Sequence, residues 1–255
     1  MEKGIESGRR SHSKERMFLK LVFGLSALIL LAYFMSGLGN RLGWWDFRAG
    51  FAILKYAFFG AIITLCLTII GIYKGPSGEY NRRFLLALPP LLISLFLVYI
   101  PLKFIWAAKN VPRIHDITTD PDNPPVFSAI LPLRKDASNS VVYGGPEIAA
   151  LQRKGYPEIK PVMMSMTPDQ AFQKALLTAE KMGWKIVEVS PPDRRIEATD
   201  TTLWFGFKDD IIIRITPANG GSRIDARSVS RVGVSDVGAN AKRIKNYLKK
   251  LEEIE

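Results

Sequence analysis

The residues best suited to chemistry in this 255-residue chain crowd towards its C-terminal end. Arg227, Ser228, Ser230 and Arg231 lie on one expected strand. Asp236, Asn240 and Arg243 follow at i, i+4 and i+7, the spacing of a single stripe on a helix. At about 100° per residue this stripe runs beside the apolar one, so its side chains reach the edge of the sheet. Three arginines, an aspartate, an asparagine and two hydroxyls are therefore expected to converge at a strand-to-helix junction. Such a group could bind an anionic ligand, helped by the helix N-terminus and the forked guanidinium. It could equally be a hydrogen-bonded clamp, with Arg231 and Asp236 fixing the helix against the sheet. A filled junction points to the clamp, and one with room for a ligand to the site.

Other groupings carry less. Asp209 and Asp210 are adjacent, but neighbours on a strand point to opposite faces and do not form an acid/base pair. His115, Asp116, Asp120 and Asp122 invite comparison with a calcium loop, yet the glycine at position six and the glutamate at twelve are missing. These carboxylates are read as caps on the backbone amides of a turn, and no metal or cofactor is expected. There is no G-x-S-x-G elbow, and the S-x-x-K spacing of Ser11 and Lys14 sits in the N-terminal tail with His12. The single cysteine, Cys66, falls inside an apolar stretch, which excludes an intrachain disulfide and C-x-x-C chemistry. Catalysis is not the leading expectation.

The elements that would position the junction follow from periodicity. Thr167-Pro168-Asp169-Gln170 is a capping box with proline at the first helical position. Phe172, Ala175, Leu176, Ala179 and Met182 continue at helical spacing until Gly183. Strands are expected over 184–190, around Ile196 and Ala198, over 210–217 and over 223–230, with a hairpin turn at Ala218-Asn219-Gly220-Gly221. Ser235 is expected to cap a last helix whose stripe is Val237, Ala241, Ile244, Leu248 and Leu251. Helix, four strands, helix gives a two-layer α+β domain over 161–255 with its core closed in that range. Residues 107–160 read as an extended connector, dense in turn formers at Asp120-Pro121-Asp122-Asn123-Pro124-Pro125.

The N-terminal half belongs to lipid. Phe18–Leu38, Phe51–Tyr73 and Phe84–Trp106 are each long and apolar enough to cross a bilayer, for which about 20 residues suffice. The first is longer than the apolar core of a signal peptide and is read as a retained anchor after a cytoplasmic tail, 1–17. Pro89 and Pro90 are expected to kink the third span near its start. Gly60, Thr64 and Thr68 recur every four residues, a stripe for close helix packing. The spans hold no acidic residue, which argues against a proton relay.

The net charge of +11 could suggest a nucleic-acid binder, but residues 1–106 hold 13 Lys+Arg against 5 Asp+Glu, and residues 107–255 hold 22 against 19. The excess flanks the spans, so the lipid bilayer is the expected partner and nucleic acid is not. Lys3, Arg9, Arg10, Lys14, Arg16, Lys74, Arg82 and Arg83 lie on one side, and Arg41, Arg48, Lys103, Lys109 and Arg113 on the other. Eight against five predicts a cytoplasmic N-terminus and a periplasmic C-terminal domain. Trp44 and Trp45 read as an aromatic belt in the first loop.

Several stretches together resemble the family called domain of unknown function 1499. Arg227-Ser228-Val229-Ser230-Arg231-Val232-Gly233 with Ser235-Asp236-Val237-Gly238-Ala239-Asn240 and Arg243 carries most of the likeness. Ile114-His115-Asp116-Ile117-Thr118-Thr119-Asp120, Asn123-Pro124-Pro125 and Trp204-Phe205-Gly206-Phe207-Lys208-Asp209-Asp210 add to it. Gly43-Trp44-Trp45-Asp46-Phe47-Arg48 is similar to the membrane-anchored bacterial members. Val234 stands where many relatives carry a basic residue. The resemblance implies a setting in the cell envelope and no particular reaction, cofactor or catalytic residue. The expectation is a multi-pass bacterial inner-membrane protein whose periplasmic domain binds an envelope protein or anionic ligand. The alternative is an enzyme acting on an envelope lipid or anionic metabolite at the Arg227, Arg231, Asp236 and Arg243 junction.

Overall fold

A computed structural model describes residues 2–73 and 80–254, with the side chains of 2–12 and of Tyr80 left aside. Lys74 and the side chains of Lys3, Arg9, Arg10, Ser11 and His12 lie outside the described residues. The chain forms two compact units, residues 1–106 with 204–206 and residues 107–203 with 207–255.

The first unit is helical. α1 (Glu2–Arg41), α2 (Phe47–Tyr73) and α3 (Tyr80–Lys109) each contain a stretch long and apolar enough to span a membrane. Leu28, Leu31, Phe59, Ile63, Leu92 and Leu95 are among the large apolar side chains they turn outwards, as a lipid solvent requires. The interior is built from small and hydroxylated residues. Ala57, Ala61, Thr64 and Thr68 are buried along α2, and Gly60 lets Ile29 of α1 approach closely. The Thr64 and Ser94 hydroxyls meet at 2.8 Å between α2 and α3, a polar contact of the kind that holds membrane helices together. α3 runs through Pro89, Pro90 and Pro101 as one continuous helix. Asp46 starts α2 by accepting the Arg48 and Ala49 amides on Oδ1. Trp44 is exposed, whereas Trp45 folds back and donates its indole N–H to the Ser36 carbonyl. Within the same unit, Trp204 donates to the Phe34 carbonyl at 2.9 Å and packs against Tyr33.

The second unit is an α+β fold around an antiparallel sheet of six strands, not the expected four. β3 (Lys185–Ser190), β4 (Arg195–Thr201), β5 (Lys208–Ala218) and β6 (Gly221–Ser230) form a meander. β1 (Asp116–Thr118) and β2 (Val162–Met164) share the remaining edge of β6, one beside each half of it. Asn219 and Gly220 make the two-residue β5–β6 turn, where Gly220 supplies the positive φ. α5 (Pro168–Lys181) begins with the expected capping box, closed by reciprocal bonds between Thr167 and Gln170. α6 (Ala239–Glu253) begins four residues later than the predicted cap at Ser235. Val237 lies outside it at φ +52°, and Tyr247 takes a central place in the buried stripe.

α5 and α6 cover one face of the sheet. Ile196, Ala198, Ile211, Ile213, Ile215, Ile224 and Ala226 meet Phe172, Ala175, Ala179, Ile244 and Leu251 there, and Trp184 stacks on Tyr247. The other face is not left to solvent. Residues 107–160, expected as a connector, contribute β1, a 3-10 turn (Leu131–Arg134) and α4 (Gly145–Gly155); they add Ile114 and Ile117 to the core beneath the helices and bury Phe127 and Ile130 apart from it. Phe127 and Ile130 pack on Ile212 and Val229 of that second face. The core is therefore not closed within 161–255.

Candidate functional site

Strand alternation divides the predicted junction in two. Ser228 and Ser230 of β6 point towards the helices, while Arg227 of β6 and Arg231, the residue after the strand ends, point to the opposite face. The expected convergence of all seven residues does not occur, and Arg227 and Arg231 belong to a different cluster from Arg243 of α6.

On the helix face, Asn240 is the hub. Its Oδ1 accepts from the Ser228 hydroxyl at 2.7 Å and from Arg243 Nη1 at 2.5 Å. Its Nδ2 donates to the His115 carbonyl and to the Ser230 hydroxyl at 3.0 and 2.9 Å. Both donors and both acceptor directions of the amide are thus used. Arg243 donates Nε to Asp200 at 2.7 Å and Nη2 to Asp209 at 2.6 Å. Burial works against its charge, but the two carboxylates outweigh that and hold its pKa above the usual arginine value.

Asp236 is not on the helix and does not touch Arg231. Its two carboxylate oxygens accept the Gly238 and Asn240 amides, each at 2.8 Å, so it closes the open first turn of α6. Gly238, at φ +81°, turns the chain into that helix with the Tyr156 hydroxyl close behind it. Burial, aided by the neighbouring charge of Asp209, raises the Asp236 carboxyl despite its amide bonds.

The opposite face is an arginine layer. Arg227 grips Asp116 with two bonds of 2.9 and 2.7 Å and donates to the carbonyls of Pro125 and Val141. Its guanidinium lies 5.2 Å from the Phe127 ring and 5.4 Å from that of Tyr143. Burial, with Asp116 adding to it, pushes the Tyr143 phenol up to about 12. Arg231 holds Asp210 at 2.9 and 2.8 Å and donates to the Leu133 carbonyl. Arg134 reaches the same carboxylate at 2.5 Å, and Thr199 donates to it at 2.8 Å. Asn139 closes the far end through the Ser230 and Gly233 carbonyls. Farther along, Asp225 binds Arg223 and Arg214, and Glu197 accepts the amides of Ser128 and Ile130.

Asp209 and Asp210 accordingly serve opposite faces, one bonded to Arg243 and the other to Arg231 and Arg134. Of the carboxylates considered for calcium, Asp120 caps the Asn123 amide, whereas Asp116 and Asp122 pair with Arg227 and Arg153. Arg134, Asn139 and Gln152 were not singled out from the sequence. Gln152 imitates a strand neighbour, bonding the amide and the carbonyl of Thr118. Only the two-residue period of β6 could have signalled the arginine layer in advance, because it puts Arg227 and Arg231 on one face.

No curated protein matches the chain. A family model described as a protein of unknown function, DUF1499, matches residues 116–251, more than half of the length. That stretch includes both polar clusters, from Asp116 to Arg243. By this match the chain belongs to the DUF1499 family.

Proposed function

We propose that this is a bacterial inner-membrane protein whose folded domain faces the periplasm and acts by binding an envelope component or a protein partner, not by catalysis. The observation that carries the binding reading is the filled state of the polar clusters. An enzyme acting on an anionic lipid or metabolite would aim its donors at the substrate. Here Arg227, Arg231 and Arg243 direct theirs at Asp116, Asp210, Asp200 and Asp209, and at carbonyls of the same unit. This is the arrangement of a clamp that holds a scaffold in shape. The orientation rests on the eight-to-five distribution of flanking cations.

Two measurements test the reading. Alkaline phosphatase fused after Glu255 should be active and a fluorescent protein fused there dark; the reverse result would place the domain in the cytoplasm. In the detergent-solubilised full chain, Arg231→Ala leaves Asp210 with Arg134 and the Thr199 hydroxyl and should lower stability by about 3–5 kcal/mol, the usual cost of breaking a buried pair. If the variant were instead as stable as the parent and had lost an anion-dependent rise in melting temperature, the cluster would be a ligand site and the clamp reading would fall.

A further inference from the structure

A cleft of about 510 Å3 opens in the second unit, beyond the Arg227 and Arg231 cluster at the Arg223 end of the arginine layer. One wall is the Asp120-Pro121-Asp122 turn, the other is the end of α4 with the Tyr156–Pro161 segment behind it, and Arg223 of β6 contributes from the sheet. Its volume is that of a small-molecule site. Pro121, Pro157 and Pro161 stiffen its walls, so little chain entropy remains to be lost when a ligand enters.

The polar groups around it are unevenly used. Asp120 accepts from Arg223 and Arg214 on one oxygen and from the Asn123 amide on the other. The donors are less committed. Lys160 is exposed and has no ion-pair or hydrogen-bond partner among the described residues. Arg153 spends only Nη2, on Asp122, in a pair open to solvent on both sides. Arg223 uses Nε and Nη2 on Asp225 and Asp120, leaving Nη1 over. Three cations and two carboxylates line the cleft, so it is net positive and richer in spare donors than in spare acceptors. An exposed pair such as Arg153–Asp122 holds its partners weakly and can exchange one for a ligand. A tetrahedral oxyanion offers the several acceptor oxygens that such a set lacks.

We propose that this cleft binds a phosphate monoester or diester, with Lys160, Arg153 and Arg223 on the phosphoryl oxygens and the proline wall against the organic part. This deepens the binding reading above by naming a ligand class, and it rests on that reading. The ligand could be a soluble phosphate ester or a lipid headgroup.

The test uses the full chain in nanodiscs of phosphatidylcholine, with or without phosphatidylglycerol, and glycerol phosphate as the soluble probe. In the phosphatidylcholine discs, a saturable rise in melting temperature with glycerol phosphate marks a soluble ester as ligand. A rise on including phosphatidylglycerol marks a lipid headgroup. Either rise should be lost in Lys160→Glu and reduced in Lys160→Ala, whose exposed position leaves the fold intact, and it should survive in Arg231→Ala. An equal rise in wild type and Lys160→Glu, or no rise with either probe, would overturn the cleft assignment alone. A rise lost in Arg231→Ala but kept in Lys160→Glu would overturn both it and the clamp.

Discussion

The two faces of the sheet bury their side chains by different chemistries. Beneath α5 and α6 the strands present Ile196, Ile211, Ile213, Ile215 and Ile224 to an apolar layer. On the other face, the same strands present Glu197, Asp210, Asp225 and Arg227, all buried, to residues 107–160. The apolar face tolerates any partner of suitable shape, because hydrophobic contact has no direction. The charged face tolerates almost none, because each buried ion needs a specific donor or acceptor at hydrogen-bond distance. Regular helices can cover the first. The second is covered by irregular chain that brings the carbonyls of Pro125, Leu133 and Val141 to the waiting arginines.

The widest consequence is for folding. A fragment of residues 161–255 keeps α5 and α6 but loses Phe127, Ile130, Asp116 and Arg134, so its charged face meets water with the Arg227–Asp116 and Arg134–Asp210 pairs broken. We expect it to show no cooperative thermal transition and to bind hydrophobic dyes, while a fragment starting at residue 107 melts cooperatively. A sharp transition of the shorter fragment, at a melting temperature close to that of the longer one, would show that the second face is dispensable.

The same contrast explains what could be read from the sequence. The three apolar helices, the capping box at Thr167, the β5–β6 hairpin and the Ala241, Ile244 and Leu251 part of the α6 stripe follow from periodicity and cap chemistry, and the structure contains each of them. The layer formed by residues 107–160 has no period, since its contribution lies in where individual carbonyls and the Arg134 guanidinium end up. It read as a connector for that reason. The candidate site was half legible. Ser228, Ser230, Asn240 and Arg243 do come together, joined by Asn240. Arg227 and Arg231 do not join them, because alternation along β6 sends them through to the other side. Asp236 sits in a turn, since Gly238 delays the helix that its spacing had implied.

A middle-sized effect sharpens the comparison between the faces. Ile213→Ala on the apolar face should cost about 2–5 kcal/mol, similar to Arg231→Ala on the charged one. The two should differ in how they are repaired. No single partner change restores the cavity left by Ile213. Replacing Arg134, Asp210 and Arg231 together by methionine, leucine and methionine removes all three charges and keeps the volume, so it should recover most of the Arg231→Ala loss. Chemical denaturation of the parent and the three variants in the full chain measures this. A triple variant less stable than Arg231→Ala would mean that the ions contribute net stability beyond shape, and the clamp would then be an energetic feature and not only a positional one.

The smallest expected effect concerns Asp236, which stands beside the Asn240 cluster at the start of α6. Its carboxyl is raised from the ordinary 3.8, first by burial and then by Asp209, and the Asn240 and Gly238 amides only partly offset this. A carboxyl whose folded value exceeds its unfolded one binds its proton more tightly in the native state. Its contribution to stability is complete below the unfolded value and is lost as pH rises through the folded one. Asp236→Asn cannot titrate, and it replaces one of two amide-accepting oxygens by a donor, so it should cost about 1 kcal/mol in acid, where the wild-type carboxyl is uncharged. The wild-type advantage over this variant should therefore be greatest in acid and shrink as pH rises from 3.8 towards neutrality, because the other groups titrate alike in both chains and cancel in the difference. Paired denaturation curves over that range would show it. An advantage that grows with pH would mean that the two backbone amides outweigh burial, and Asp236 would then act as an ordinary charged helix cap, stabilised by the dipole of α6.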